Sequence, residues 1–137
     1  MVTTTNNDIY RAFYTKSASI VSYMVRKLFV GNGMKVLEPC AGDGVFIDAL
    51  NSLNLDINID AFELNLEAVK ILREKYISHR NVNIILDDAI TSPRLDISLD
   101  GIYDRVIANP PYGGWLDYDQ RKHLKKLYPL LYIKETY

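Results

Sequence analysis

The residues with the clearest chemical use are Asn109, Pro110, Pro111 and Tyr112, which directly follow the apolar run 105–108. An amide, two prolines and an aromatic ring at a strand end suit the grip of a planar amino group during methyl transfer. The lone pair of such a nitrogen is delocalised, so it is a poor nucleophile. The side-chain carbonyl of Asn109 and the backbone carbonyl of Pro110 would each accept one of its N–H bonds. That draws the nitrogen toward tetrahedral geometry as it attacks, and it stabilises the transition state more than the ground state. Pro110 donates no backbone hydrogen bond and fixes φ, so the direction of its carbonyl is set. Tyr112 offers a face on which a target ring can stack. Asn-Pro is also an ordinary turn initiator, so the weight of this reading rests on what lies upstream.

Upstream, Glu38-Pro-Cys-Ala-Gly-Asp-Gly-Val-Phe46 forms a glycine-rich turn between an apolar run and a helical pattern. Nucleotide-type ligands sit at such turns in parallel α/β sheets. A dinucleotide fingerprint needs a third glycine, and Ile47 stands in its place. Glu38 and Asp43 add carboxylates where a pyrophosphate would want only backbone N–H groups. Two anions around the turn better suit a ligand with positive charge and no phosphate, and S-adenosylmethionine, with an ammonium and a sulfonium, is such a ligand. Gly42 and Gly44 let the backbone approach it closely. Glu63 follows Gly42 by 21 residues, the spacing of an acid that accepts from ribose hydroxyls. Asp88 is placed to receive the adenine amino group. Each acid alone reads as a solvated strand end, but the three come in order, each after its own apolar run. Cys40 has no base or cation near it in sequence, and Glu38 would raise its pKa, so it reads as a small buried packing residue of the turn.

These groups need a scaffold that brings strand ends together. Strands are expected at 35–38, 57–63, 82–86 and 105–108. Helices are expected at about 17–29 (Ile20, Val21, Met24, Val25 and Leu28 inward, Ser17 as cap), 45–53, 66–77 (Ala68, Ile71, Leu72 and Tyr76 inward) and 119–127. Alternating strands and helices with short turns predict an α/β fold, a Rossmann-like parallel sheet with right-handed crossovers. Residues 95–102 read as a connector, residues 3–8 as a frayed end, and 128–137 as an aromatic-rich tail interrupted by Pro129.

Composition narrows the class. The 137 residues make one domain at most, with 48% hydrophobic and 24% charged residues, as in ordinary globular chains. No apolar stretch approaches the roughly 20 residues of a membrane span, and the N-terminus carries no apolar signal segment. The single cysteine rules out an internal disulfide framework and suits a reducing cytosol. His79 and His123 lack companions at metal-ligand spacing and read as surface residues. A net charge of −1 gives no global drive toward nucleic acid. The basic cluster 121–126 reads as a solvated helix face ahead of a phosphate track.

With these motifs in hand, the chain resembles the N6-adenine DNA methyltransferases of restriction–modification systems, and nearly all of it takes part. Arg11-Ala-Phe-Tyr-Thr15 with the helix after it is similar to the family's N-terminal cofactor motif, though Lys16 stands where proline is usual. Residues 36–46 are similar to the glycine motif, 61–65 to the acidic strand end, 87–90 to the adenine-contact motif and 109–113 to the catalytic one. The resemblance implies a class I methyltransferase fold using S-adenosylmethionine and no metal, in a bacterial or archaeal cytoplasm. It implies that Tyr14, Thr15, Glu38 and Gly42 hold the methionine end, Glu63 the ribose and Asp88 the adenine. Cys40, Ala41, Gly44, Leu64, Ala89 and Asn109 complete the cofactor pocket. Asn109, Pro110 and Pro111 form the amino-group turn, and Tyr112 stacks on a flipped adenine of DNA. In this family the sheet continues beyond the catalytic strand and a separate domain reads the DNA. The chain is therefore expected to be the partial, N-terminal portion of such a domain, its other strands supplied by a missing C-terminal region or a second chain. A small methyltransferase acting on a glutamine amide or an RNA base, and a non-catalytic cofactor-binding remnant, remain as alternatives.

Overall fold

The computed structural model of this chain describes residues 17–95, 101–110 and 118–129. In chain order the elements are α1 (Ala18–Lys27), β1 (Lys35–Glu38), α2 (Val45–Asn51), β2 (Asn58–Glu63), α3 (Leu66–Lys75), β3 (Val82–Leu86), a 3₁₀ turn (Pro93–Leu95), β4 (Arg105–Val106) and α4 (Tyr118–Leu127). The four strands form one parallel sheet in the order β3-β2-β1-β4. This is the Rossmann-like arrangement expected: α2 fills the crossover from β1 to β2 and α3 that from β2 to β3, while the connection to β4 carries the 3₁₀ turn among the described residues.

Parallel strands send all their C-terminal loops to one end of the sheet. The register aligns them closely: Glu38 lies opposite Ala61, Glu63 opposite Leu86, and Leu37 opposite Val106. The main core is Val36, Ile59, Ala61 and Ile84 of the sheet, packed with Val21 and Val25 of α1, Phe46, Ile47 and Leu50 of α2, and Val69 and Leu72 of α3.

β1 and β3 match their expected limits, whereas one expected core residue on each of α1 and α3 faces out. Val21, Val25, Leu72 and Tyr76 are buried as expected, but Ile20 is 53% exposed and Ile71 is 64% exposed, and Val69 takes the buried place beside Leu72. Both isoleucines flank the true stripe by one helical step, where apolar spacing alone does not discriminate. Ser17 does precede α1, but its side chain makes no cap; its hydroxyl meets that of Ser19. The α2 helix stops at Asn51 and the pairing of β4 at Val106, both short of the expected ends. His79 and His123 are exposed, as expected. Residues 3–8 and 130–137 lie outside the described residues.

The second face of the sheet carries a polar crosslink. Strand alternation turns Asp60 away from Ile59 and Ala61. Its carboxylate receives Lys35 Nζ at 2.8 Å, Asn83 Nδ2 at 3.0 Å and the Tyr103 hydroxyl at 2.8 Å, joining β1, β2, β3 and the approach to β4. Burial pushes the Asp60 pKa up, but these hydrogen bonds and the Lys35 charge outweigh it and hold the acid below its ordinary value. The unfolded pKa is about 3.9, so the crosslink stabilises fully above that value and is lost as pH falls through the lower folded one. Asp60→Asn should cost about 1 kcal/mol at neutral pH, a few degrees in Tm, because the network is partly screened by solvent. Thermal melts should show the difference from the parent chain shrinking below pH ~4.

Candidate active site

Three carboxylates converge at the C-terminal end of the sheet. Glu38 ends β1, Glu63 ends β2, and Asp88 follows β3 by two residues. Their common reach shows at Cys40, whose thiol is pushed up to about 11, first by burial and then by the charges of Glu63, Glu38 and Asp88. Cys40 is half-buried, less enclosed than expected, because it sits on the turn that these acids surround. A thiol so far from ionisation is no nucleophile.

The glycine turn is fixed from several sides. Gly42 and Gly44 have φ of +55° and +80°, in the left-handed region that favours glycine. The Ala41 N–H donates to the Phe62 carbonyl at 2.8 Å, and the Gly42 N–H donates to Glu63 Oε2 at 2.8 Å. The other Glu63 oxygen accepts from the Asn65 N–H at 2.7 Å, and Asn65 Oδ1 caps α3 through Glu67 and Ala68. Glu63 thus ties the turn to the start of α3 and keeps further lone pairs for an outside donor. Asp88 shapes its own turn: one oxygen accepts from the Ile90 N–H at 2.9 Å and the other from the Thr91 hydroxyl at 3.0 Å. Ala89 is half-buried beside it and Leu64 is exposed at the rim.

Glu38 differs from its two companions. It is 1% exposed, and neither carboxylate oxygen has a hydrogen-bond partner among the described residues. Burial, then Asp43, Asp48 and Glu63, hold its carboxyl well above the ordinary range. A buried acid with empty acceptors beside a glycine turn fits a compact cationic donor, and it would disfavour phosphate.

The Asn109-Pro110 segment begins beside this cluster. The Ile107 N–H donates to the Leu37 carbonyl at 3.0 Å, so Asn109 follows β4 alongside the exit of β1. Asn109 is half-buried and Pro110 is exposed. Pro111, Tyr112, Tyr14 and Thr15 lie outside the described residues. The fold therefore brings together Glu38, Cys40, Ala41, Gly42, Gly44, Glu63, Leu64, Asp88 and Ala89 at one end of the sheet, with Asn109 at its β4 side. Lys75 and Tyr76 were not legible beside this turn, since they donate to the Asp43 and Gly44 carbonyls, which only the fold brings near.

Curated relatives match most of this chain. The type II methyltransferase M.AccI of Acinetobacter calcoaceticus is 34% identical over 138 aligned positions, covering 89% of the chain. The chain is a homologue of type II methyltransferases. M.HincII of Haemophilus influenzae is 29% identical over 115 positions, covering 82% of the chain. This methyltransferase segment spans only 24% and 20% of the lengths of those two relatives. No family model matches it. Among solved structures, a dimethyladenosine transferase from Plasmodium falciparum superposes with a TM-score of 0.59 at 17% identity, covering 73% of this chain and 34% of that one. The methyltransferase segment has the class I methyltransferase fold. No helix among its described residues is long and apolar enough to cross a membrane.

Proposed function

We propose that residues 1–137 form part of an S-adenosylmethionine-dependent domain that methylates the N6 amino group of adenine in DNA, working in the cytoplasm with strands and a DNA-reading region supplied elsewhere. The observation that carries this reading is the buried Glu38 carboxylate, without a partner among the described residues, at the head of a line of three acids next to the turn of Asn109. Glu38 would take the ammonium of the cofactor, Glu63 the ribose hydroxyls and Asp88 the adenine amino group, while the exposed Leu64 meets the ring face. When bound, S-adenosylmethionine supplies an electrophilic methyl group. Asn109 and Pro110 would accept the N–H bonds of the target amine, and Tyr112 would hold its ring by stacking.

Calorimetry with S-adenosylmethionine on this chain, then methyl transfer to adenine-containing DNA by the complete enzyme, tests the reading. Absence of binding removes the cofactor assignment. Transfer to a glutamine amide or RNA, with none to DNA, replaces the acceptor. In the complete enzyme, Asn109→Ala should lower transfer by roughly 10²–10³-fold or more, with cofactor affinity kept within about an order of magnitude. Equal loss of both would assign Asn109 to the cofactor pocket alone.

A further inference from the structure

The glycine turn is also gripped by side chains from α3, a helix that reaches it from the far side of the crossover. Tyr76 closes α3 and is buried, yet its hydroxyl is fully used. The hydroxyl proton is shared between the Gly44 carbonyl at 2.9 Å and Asp48 Oδ1 at 2.7 Å. Asp48 Oδ2 accepts from Lys75 Nζ at 2.6 Å, and the same ammonium lies 3.3 Å from the Asp43 carbonyl. Tyr76 and Lys75 therefore hold the two consecutive carbonyls, Asp43 and Gly44, that end the turn, while Asp48 joins them to α2. Burial, then Asp48, holds the Tyr76 hydroxyl well above its ordinary pKa, so it remains a donor at every working pH.

The fit leaves no slack. A Cβ placed on Gly44 would stand 2.5 Å from the Tyr76 oxygen and 2.9 Å from Leu72 Cδ2. A methyl-sized shift of the turn toward α3 is blocked by that ring, and a shift away breaks two hydrogen bonds. The backbone of residues 42–44 is thus set by contact and hydrogen bonding from α3. Glu63 fixes the opposite end of the same turn through Gly42.

We infer that Tyr76, with Asp48 and Lys75, is a positioning residue for the cofactor turn: it sets the conformation of residues 42–44 and hence the affinity for S-adenosylmethionine without itself being a ligand. The inference rests on the cofactor reading above. Nothing about Tyr76 in the sequence marks it out, since it occupies an apolar position on the α3 pattern.

The test is Tyr76→Phe in the full 137-residue chain, with Ile59→Val near the start of β2 as a mildly destabilising core control away from the turn. Affinity for S-adenosylmethionine is read by calorimetry, and turn order by amide hydrogen exchange without ligand. Tyr76→Phe should weaken binding about tenfold and speed exchange at Gly44 and Val45, while Ile59→Val should change affinity by less than about twofold. Lys75→Met should weaken binding in the same direction by a smaller factor. Unchanged affinity in Tyr76→Phe, or equal loss in Ile59→Val, overturns the inference. If the parent chain binds no S-adenosylmethionine, the cofactor reading fails on its own, and unchanged exchange at Gly44 in Tyr76→Phe still overturns the clamp.

Discussion

Glu38→Gln should stabilise the ligand-free chain while weakening S-adenosylmethionine binding by about 30- to 100-fold. The two effects share one cause. The Glu38 carboxylate is enclosed, has no hydrogen-bond partner among the described residues and faces the charges of Asp43, Asp48 and Glu63. Its folded pKa is therefore above the unfolded value of about 4.3. The native state holds the proton more tightly, so stability falls as pH rises from the unfolded pKa through the folded one. Glutamine has nearly the same shape and no charge, which removes that slope. Thermal melts between pH ~4 and pH ~8 should show the variant's advantage small at the acid end and growing upward. Binding reverses the sign, because a cofactor ammonium needs the carboxylate, and losing one partner of a buried charged hydrogen bond costs about 2–3 kcal/mol. A Glu38→Gln chain that is less stable than the parent at every pH would mean that this acid is held by contacts of its own rather than kept for a ligand.

Gly44→Ala should be strongly damaging, costing about 3 kcal/mol or more and lowering Tm by roughly 10 °C. Two penalties act together. At φ +80° an alanine sits in the left-handed region, worth about 1 kcal/mol. Its Cβ would also overlap Tyr76 and Leu72, both buried and packed against the core. Gly33→Ala isolates the first penalty, because Gly33 has φ of +79° and no atom within 4 Å of an added Cβ. Melts of the two variants should therefore differ by about 2 kcal/mol although the backbone angles match. Combining Gly44→Ala with Tyr76→Phe should recover part of the loss, since the 2.5 Å contact is with the hydroxyl that phenylalanine lacks. Equal destabilisation by both glycine variants would refute the packing argument.

The strands were the most legible part of the sequence. Val36-Leu37 and Val82-Asn-Ile-Ile-Leu86 are short apolar runs bounded by turn residues, and burial in a parallel sheet asks little more of them. Helix faces were less legible: Ile20 and Ile71 satisfy the spacing rule as well as their buried neighbours, and only packing against the sheet selects between stripes. At the site, the acids Glu38, Glu63 and Asp88 could be read as ligands from their order along the chain. Their differences could not. That Glu63 is bound to Gly42 while Glu38 is bound to nothing described depends on side-chain direction at strand ends, which sequence spacing does not encode. The contact of Tyr76 with Gly44 spans 32 residues and an entire crossover, so no local pattern announces it.

β4 meets the sheet through only two registered pairs, Val36 with Arg105 and Leu37 with Val106, against five between β2 and β3. Its anchorage comes mainly from its ends: Asp104 exchanges backbone and carboxylate hydrogen bonds with Lys35, and Arg105 reaches the Leu28 carbonyl at 2.8 Å. The chain thus divides into units of unequal local stability. Residues 35–86 hold the longer strand pairings, four between β1 and β2 and five between β2 and β3. Asn109 follows the short strand β4, where local opening should cost less than unfolding of the longer pairings. Amide hydrogen exchange should therefore be faster at Ile107, beside β4, than at Ala61 in the middle of the sheet.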